Sequence, residues 1–344
     1  MAFRSLNRNF AGMKVIVDDK IPYIKGLIEQ LCDEVVYLPG ASISAEDVKD
    51  ADIMIVRTRT RCDAKLLAGS KVKLVVTATI GYDHFDTAYL QKAGIKWTNC
   101  PGCNANSVRQ YVHNALLTCD VKDATIGVVG VGHVGSRVAD DCLKAGMRVL
   151  MCDPPRARNE KDFCNTPLSE MAEKCDIITF HTPLSREGED ATFHLADADF
   201  FRSLKRKPII INSSRGEVVD NQALVEALDN GLVSKAIIDT WENEPNLNLE
   251  LLQRAYIATP HIAGYSADGK ANATRMSLQA VAEFLGVPFT LTVEAPSLPE
   301  NFSYGSEKEG ELRLYDPRVD SEKLKQNPEL FEQLRGNYPL RREG

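Results

Sequence analysis

The chain has no run of apolar residues approaching the roughly 18 that a membrane span needs. It lacks basic excess: 41 Lys and Arg stand against 48 Asp and Glu, a net charge of -7 that gives no electrostatic footprint for nucleic acid. The six histidines include no pair at i, i+4 and no H-E-x-x-H, so no metal is expected. Cysteine is absent after Cys175, and the nine from Cys32 to Cys175 are scattered and odd in number. That is no disulfide framework, and it points to a reducing, cytoplasmic compartment. One pair, Cys100 and Cys103, forms a C-x-x-C ahead of a helical segment, which leaves a thiol redox role open. What remains is ordinary globular composition, 44% apolar and 26% charged, which excludes wholesale disorder, collagen and coiled coil. The length of 344 residues predicts about two domains.

The order of elements is strand, helix, strand, in two series. Short β-branched runs occur at 14–17, 35–38, 53–57, 73–78 and 96–99, then at 125–129, 148–153, 177–180, 209–212, 235–239 and 256–259. The second set is continuously apolar (TIGVVG, DIITF, PIIIN, KAIID), as befits strands buried on both faces of a parallel sheet. Helices are expected over 22–32, 86–93, 104–119, 134–145 and 268–286. The expected fold is α/β, two doubly wound Rossmann-like domains with parallel sheets. Residues 1–12 read as a disordered extension. Residues 13–103, completed by 270–286, read as a substrate-binding domain and 104–269 as a dinucleotide-binding domain. The stretch 287–344 turns to Pro, Glu and Ser, cannot bury a core by itself, and reads as a tail or as an arm for a partner subunit.

Gly130-Val131-Gly132-His133-Val134-Gly135 follows one of these strands and opens a helix, the context that gives a G-x-G-x-x-G motif its meaning. Gly130 suits the tight turn, Gly132 admits a pyrophosphate, and Gly135 lets helix and strand pack closely. The next strand ends at Asp153, where a carboxylate binds ribose hydroxyls and favours NAD over NADP. Arg156 nearby is the one feature that would suit a 2′-phosphate.

Three polar residues follow later strands, where ligands bind in open α/β sheets. Arg215 lies in NSSRG, Glu244 in DTWENEP and His261 in PHIAG. Oxidation of an alcohol by hydride transfer needs a base, which a histidine can be. A carboxylate beside it would orient the imidazole, and an arginine fork would grip a substrate carboxylate.

The set GVGHVG, Asp153, NSSRG, DTWENEP and PHIAG resembles the D-2-hydroxyacid dehydrogenase family over 13–286. Further stretches (KVIVDDKIPY, TATIGYDHFD, CPGCNANSV, CDPPRA, FHTPL, HIAGYSADGKA, LRGNYPLRRE) resemble a branch of it that acts on a phosphorylated 2-hydroxy acid. The resemblance implies His261 as proton donor and acceptor, Glu244 as its partner and Arg215 as carboxylate anchor. It implies NAD contacts from Asp153, Thr182, Asp239 and Gly264, and from backbone at His133, Val134, Ser213 and Ser214. It implies substrate contacts from Thr58, Thr79 and Tyr265. Arg57 and Arg59 flank Thr58 in a loop whose chemistry suits a phosphate. The last segment resembles a shortened form of the family's dimerisation region and implies a homodimer, with Arg341 or Arg342 expected to reach the partner's phosphate site. Two alternatives stay open: a different substrate within the family, such as 3-phosphoglycerate, and an NAD-sensing corepressor on the same fold.

Overall fold

The β-branched runs pair into two separate sheets, each wholly parallel. The computed structural model describes residues 12–121, 123–297 and 307–343. The extension expected over 1–12 lies outside them except for Gly12. The chain divides into two units, 12–104 with 267–297, and 105–266 with 307–343.

In the first unit five strands, β1 (Lys14–Asp18), β2 (Glu34–Leu38), β3 (Ile53–Val56), β4 (Leu74–Thr77) and β5 (Lys96–Thr98), lie in the order β2-β1-β3-β4-β5. Alternate residues face opposite layers: Val15 and Val17 enter one core, Ile16 the other. The helix Ala267–Leu285 lays Leu278, Val281 and Leu285 on the Val15 face. Asp86 caps Thr87–Ala93 by accepting from Tyr89 N–H, and Gly94 ends that helix in the left-handed region.

The expected helix over 22–32 does not form. Tyr23 and Gly26 take φ of 62° and 82°, and only Ile28–Gln30 winds, as one 3-10 turn. Ile21, Ile24 and Ile28 imitate helical spacing, yet all three are buried from turns.

The second unit holds β6 (Thr125–Val129), β7 (Arg148–Cys152), β8 (Ile177–Phe180), β9 (Ile209–Asn212), β10 (Lys235–Ile238) and β11 (Ile257–Ala258) in the order β11-β10-β9-β8-β6-β7. The strand β6 lies between β7 and β8, so connections leave it in opposite directions, and the crevice there is where this fold class binds ligands. Both faces are covered: Ile210 enters one core and Ile209 and Ile211 the other.

The stretch expected as a single arm over 287–344 divides. Val287, Phe289, Leu291 and Val293 pack on the first unit's core. Residues 307–343 pack on the second unit, where Leu324 and Phe331 join one core and Tyr315 the other. The helix Pro317–Gln326 covers the edge strand β11, and Ser321 Oγ accepts from Ala258 N–H at 2.9 Å. These apolar side chains are too few for a core of their own, and they complete one built by other residues. Among the described residues, no helix is long and apolar enough to cross a membrane.

Candidate active site

The turn after β6 is shaped by what its glycines lack. Gly130 has φ of 83°, and a Cβ there would stand 2.8 Å from His181 C and Thr182 N. A Cβ on Gly135 would stand 1.9 Å from Gly130 O, which is how the helix His133–Lys144 comes so close to the strand. Gly132 differs: a Cβ there would meet nothing within 4 Å. It is also the helix N-cap, with no side-chain cap. His133 and Val134 begin the helix, so the turn presents uncapped N–H groups and positive dipole to open space, as a pyrophosphate requires.

Asp153 is held beside this turn. Its carboxylate accepts from Val131 N–H at 2.8 Å and from Arg156 N–H at 3.0 Å. Arg156 donates to Val131 O at 3.0 Å and lies over the Phe163 ring. The hydroxyl oxygens of Thr182, Ser213 and Thr240 are buried without a hydrogen-bond partner. An unsatisfied buried hydroxyl costs about 1–3 kcal/mol, so these atoms fit a polar ligand such as NAD. Thr182 and Ser213 were expected there from sequence; Thr240 was not.

His261 sits just beyond β11 with φ of 56°, a left-handed conformation held by its N–H, which donates to Asp239 O at 2.8 Å and Thr259 O at 3.0 Å. Its Nδ1 lies 3.1 and 2.9 Å from the two carboxylate oxygens of Glu244. A carboxylate only accepts, so the proton is on Nδ1 and Nε2 carries the lone pair of a base. Glu244 Oε1 also accepts from Trp241 N–H at 3.0 Å. Burial would raise the Glu244 carboxyl, but His261, the Trp241 N–H and Arg335 outweigh it and hold Glu244 below the ordinary carboxylate value.

Asp239, expected to contact the cofactor, is 1% exposed and turned into the protein. It accepts from Thr259 Oγ1 at 2.7 Å, Ile262 N–H at 2.8 Å and Ala263 N–H at 2.9 Å, and burial pushes its carboxyl up. Through these bonds it fixes the loop that carries His261 and Gly264.

Asn212 ends β9 and builds the loop of Ser213, Ser214 and Arg215. Its Oδ1 accepts from Ser214 N–H and Oγ, and its Nδ2 donates to Arg215 O. A Cβ on Gly216 would stand 2.0 Å from the Trp241 carbonyl, so the segment bearing Arg215 runs directly against the one bearing Glu244. His194, Asp220 and Glu242 brace that second segment: His194 bonds Glu242, and Glu242 accepts from Asn221 N–H. Their potential ligand atoms lie within 4.8 Å of one another, a grouping of distant residues that no sequence spacing announces.

Tyr265 closes the His261 loop, its N–H donating to Ile262 O. Arg341 lies under the loop, 7% exposed, and does not match its expected part in a partner's phosphate site. It donates to Ile262 O, Tyr265 O, Ala263 O, Ser107 Oγ and Gln110 Oε1, and lies 4.0 Å over the Tyr315 ring.

Thr58 and Thr79 belong to the first unit, after the paired strands β3 and β4. Thr58 is exposed; Thr79 donates to Gly81 O at 2.9 Å. Arg57 is committed to Asp18, a fork of two 3.1 Å bonds onto a fully buried carboxylate, and so is structural. Cys100 is buried against Thr77 O and Ala273 O, and burial pushes its thiol up to about 11, the opposite of a redox thiolate.

Residues 102–263 match the D-isomer specific 2-hydroxyacid dehydrogenase, NAD binding domain family. An erythronate-4-phosphate dehydrogenase of Bacteroides fragilis is 56% identical over 339 residues, 96% of this chain and 97% of that one. The chain belongs to the erythronate-4-phosphate dehydrogenase family. It is therefore an NAD-dependent dehydrogenase. Because the match spans nearly all of the Bacteroides protein, the short C-terminal segment is common to both. Among solved structures, an NAD-bound 3-phosphoglycerate dehydrogenase from Entamoeba histolytica aligns at TM-score 0.67 and 26% identity, covering 82% of this chain and 99% of that one. A D-lactate dehydrogenase from Aquifex aeolicus, complexed with NAD and lactic acid, aligns at 0.64 and 24%, covering 79% and 96%, and shares the fold.

Proposed function

We propose that this chain oxidises 4-phospho-D-erythronate to (3R)-3-hydroxy-2-oxo-4-phosphooxybutanoate in pyridoxal phosphate (vitamin B6) synthesis. The observation that carries the reading is the His261–Glu244 pair in a chain 56% identical to a protein of that name. NAD, when bound, supplies the hydride acceptor. His261 Nε2 takes the proton of the C2 hydroxyl, and Glu244 stabilises the imidazolium that forms. Arg215 grips the substrate carboxylate, and Thr58, Thr79 and Tyr265 contact the rest of the molecule. Gly130, Gly132, Gly135 and the start of the following helix take the pyrophosphate, Asp153 the ribose, and Thr182, Ser213, Ser214 and Gly264 the remainder of the cofactor. Asp239 is placed with the cofactor residues and also holds the loop that carries His261.

The working unit in this reading is a homodimer. The free cysteines suit the cytoplasm.

The test is NADH formation with 4-phosphoerythronate and 3-phosphoglycerate side by side. A kcat/KM at least about 100-fold higher for 4-phosphoerythronate is expected, since a pocket built to bond the missing groups discriminates strongly. A preference for 3-phosphoglycerate would move the chain to a different substrate in the family. No turnover of any phosphorylated 2-hydroxy acid would favour an NAD-sensing corepressor.

A further inference from the structure

Glu244 has two nitrogen-bearing neighbours, and only one of them, His261, follows from the sequence motif. The other is Arg335, on the helix Phe331–Gly336 of the C-terminal segment. Its Nη1 stands 3.6 Å from Glu244 Oε2, the oxygen that lies 2.9 Å from His261 Nδ1. Its side chain is 22% exposed, its Nε is buried without a partner, and its charge lies close enough to the Tyr265 side chain for the two to interact. Phe331, at the start of the same helix, is 1% exposed and anchors it in the core. One arginine therefore lies beside both the carboxylate behind the base and the tyrosine expected to meet the substrate.

We propose that Arg335 is a positioning residue of the proton-transfer pair, which makes the C-terminal segment part of the active site. The inference rests on the reading of His261 as base. The charged and titratable groups facing the pair are Asp239 beneath the His261 loop, Tyr265 beyond it, and Arg335 with Glu332 on the helix. The fixed charge of Arg335 keeps Glu244 ionised and aimed at Nδ1, and it opposes proton uptake by the pair as a whole. Removing that charge makes uptake easier. Oxidation needs the base unprotonated, so the acid limb of kcat/KM against pH moves to higher pH.

The experiment compares wild type, R335Q and R335K by the pH dependence of kcat/KM for 4-phosphoerythronate, with NADH affinity measured alongside. R335Q is expected to lose about tenfold in kcat/KM and to move the acid limb up by about half a pH unit. R335K, which keeps the charge, is expected to restore the limb and stay within about threefold of wild type. NADH affinity is expected to be unchanged in both. The proposal is overturned if R335Q leaves the limb in place whatever its rate, or if R335K falls as far as R335Q. Should R335Q fail to fold, R335K decides alone: a loss above about tenfold overturns the role, and a wild-type limb with near-native rate supports it. Failure of the parent reading is distinct, since wild type itself would then not turn over 4-phosphoerythronate.

Discussion

Each sheet sets a histidine against a threonine at or next to the end of one strand. In the first unit His84 Nε2 lies 3.1 Å from Thr77 Oγ1; in the second, His181 Nε2 lies 2.9 Å from Thr179 Oγ1. From there they differ. The Thr77 hydroxyl meets Thr79, which donates to Gly81 O, so that chain of hydrogen bonds closes on itself. In the second unit His181 Nδ1 and Thr182 Oγ1 stay without partners, beside the glycine turn. The first strands differ likewise: β1 ends in Asp18, neutralised by Arg57, whereas β6 runs into Gly130, which has no side chain. Similar architecture thus gives a self-satisfied strand end in one case and an open donor-and-acceptor surface in the other. Fold alone would not tell them apart, but the accounting of buried polar atoms does.

Three changes would break or sharpen this contrast. The largest effect is expected from Gly130→Ala, whose Cβ would stand against the 181–182 backbone in a left-handed conformation. NADH affinity, read by fluorescence titration, should fall on the order of 100-fold, about 3 kcal/mol; unchanged affinity would remove the glycine turn from the site. Next is Asp18→Asn, which leaves Arg57 without its buried partner. It should cost the first unit about 3 kcal/mol in denaturant unfolding while NADH affinity holds. Equal loss of both would mean that the two units are not independent in this respect.

The smallest effect concerns pH. Burial lowers His84 from 6.5 to about 4 and His181 to about 3. Both are neutral in the folded chain and take up a proton on unfolding below pH 6.5. Their contribution is therefore full above 6.5 and is lost as pH falls towards those values. In His84→Gln the Tm should decline less steeply than wild type between pH 6.5 and 4. Identical slopes would place the acid sensitivity elsewhere.

The strands were legible because runs such as Ile209–Asn212, buried on both sides, are written in β-branched residues. The glycine turn follows a strand in a recognisable local pattern, and Arg215, Glu244 and His261 were expected from the loops after later strands. Other parts depend on contacts between residues far apart in the chain. Nothing local tells that Ser321 will cap an edge strand at Ala258, or that Arg341 will fasten the loop after His261. An arginine near a chain end reads as surface charge, and only the fold puts Arg335 beside Glu244. The segment 22–32 misled for the opposite reason: its isoleucines have helical spacing, but Pro22 and Gly26 favour turns. The concentration of cysteines before residue 176 has no structural explanation.

The proposed reaction depends most directly on His261 as the base oriented by Glu244. The decisive measurement is kcat of His261→Asn for 4-phosphoerythronate oxidation, with NADH affinity measured on the same preparation. A loss of about 1000-fold or more in kcat with NADH affinity within about twofold of wild type is the predicted result. A kcat near that of wild type would contradict it.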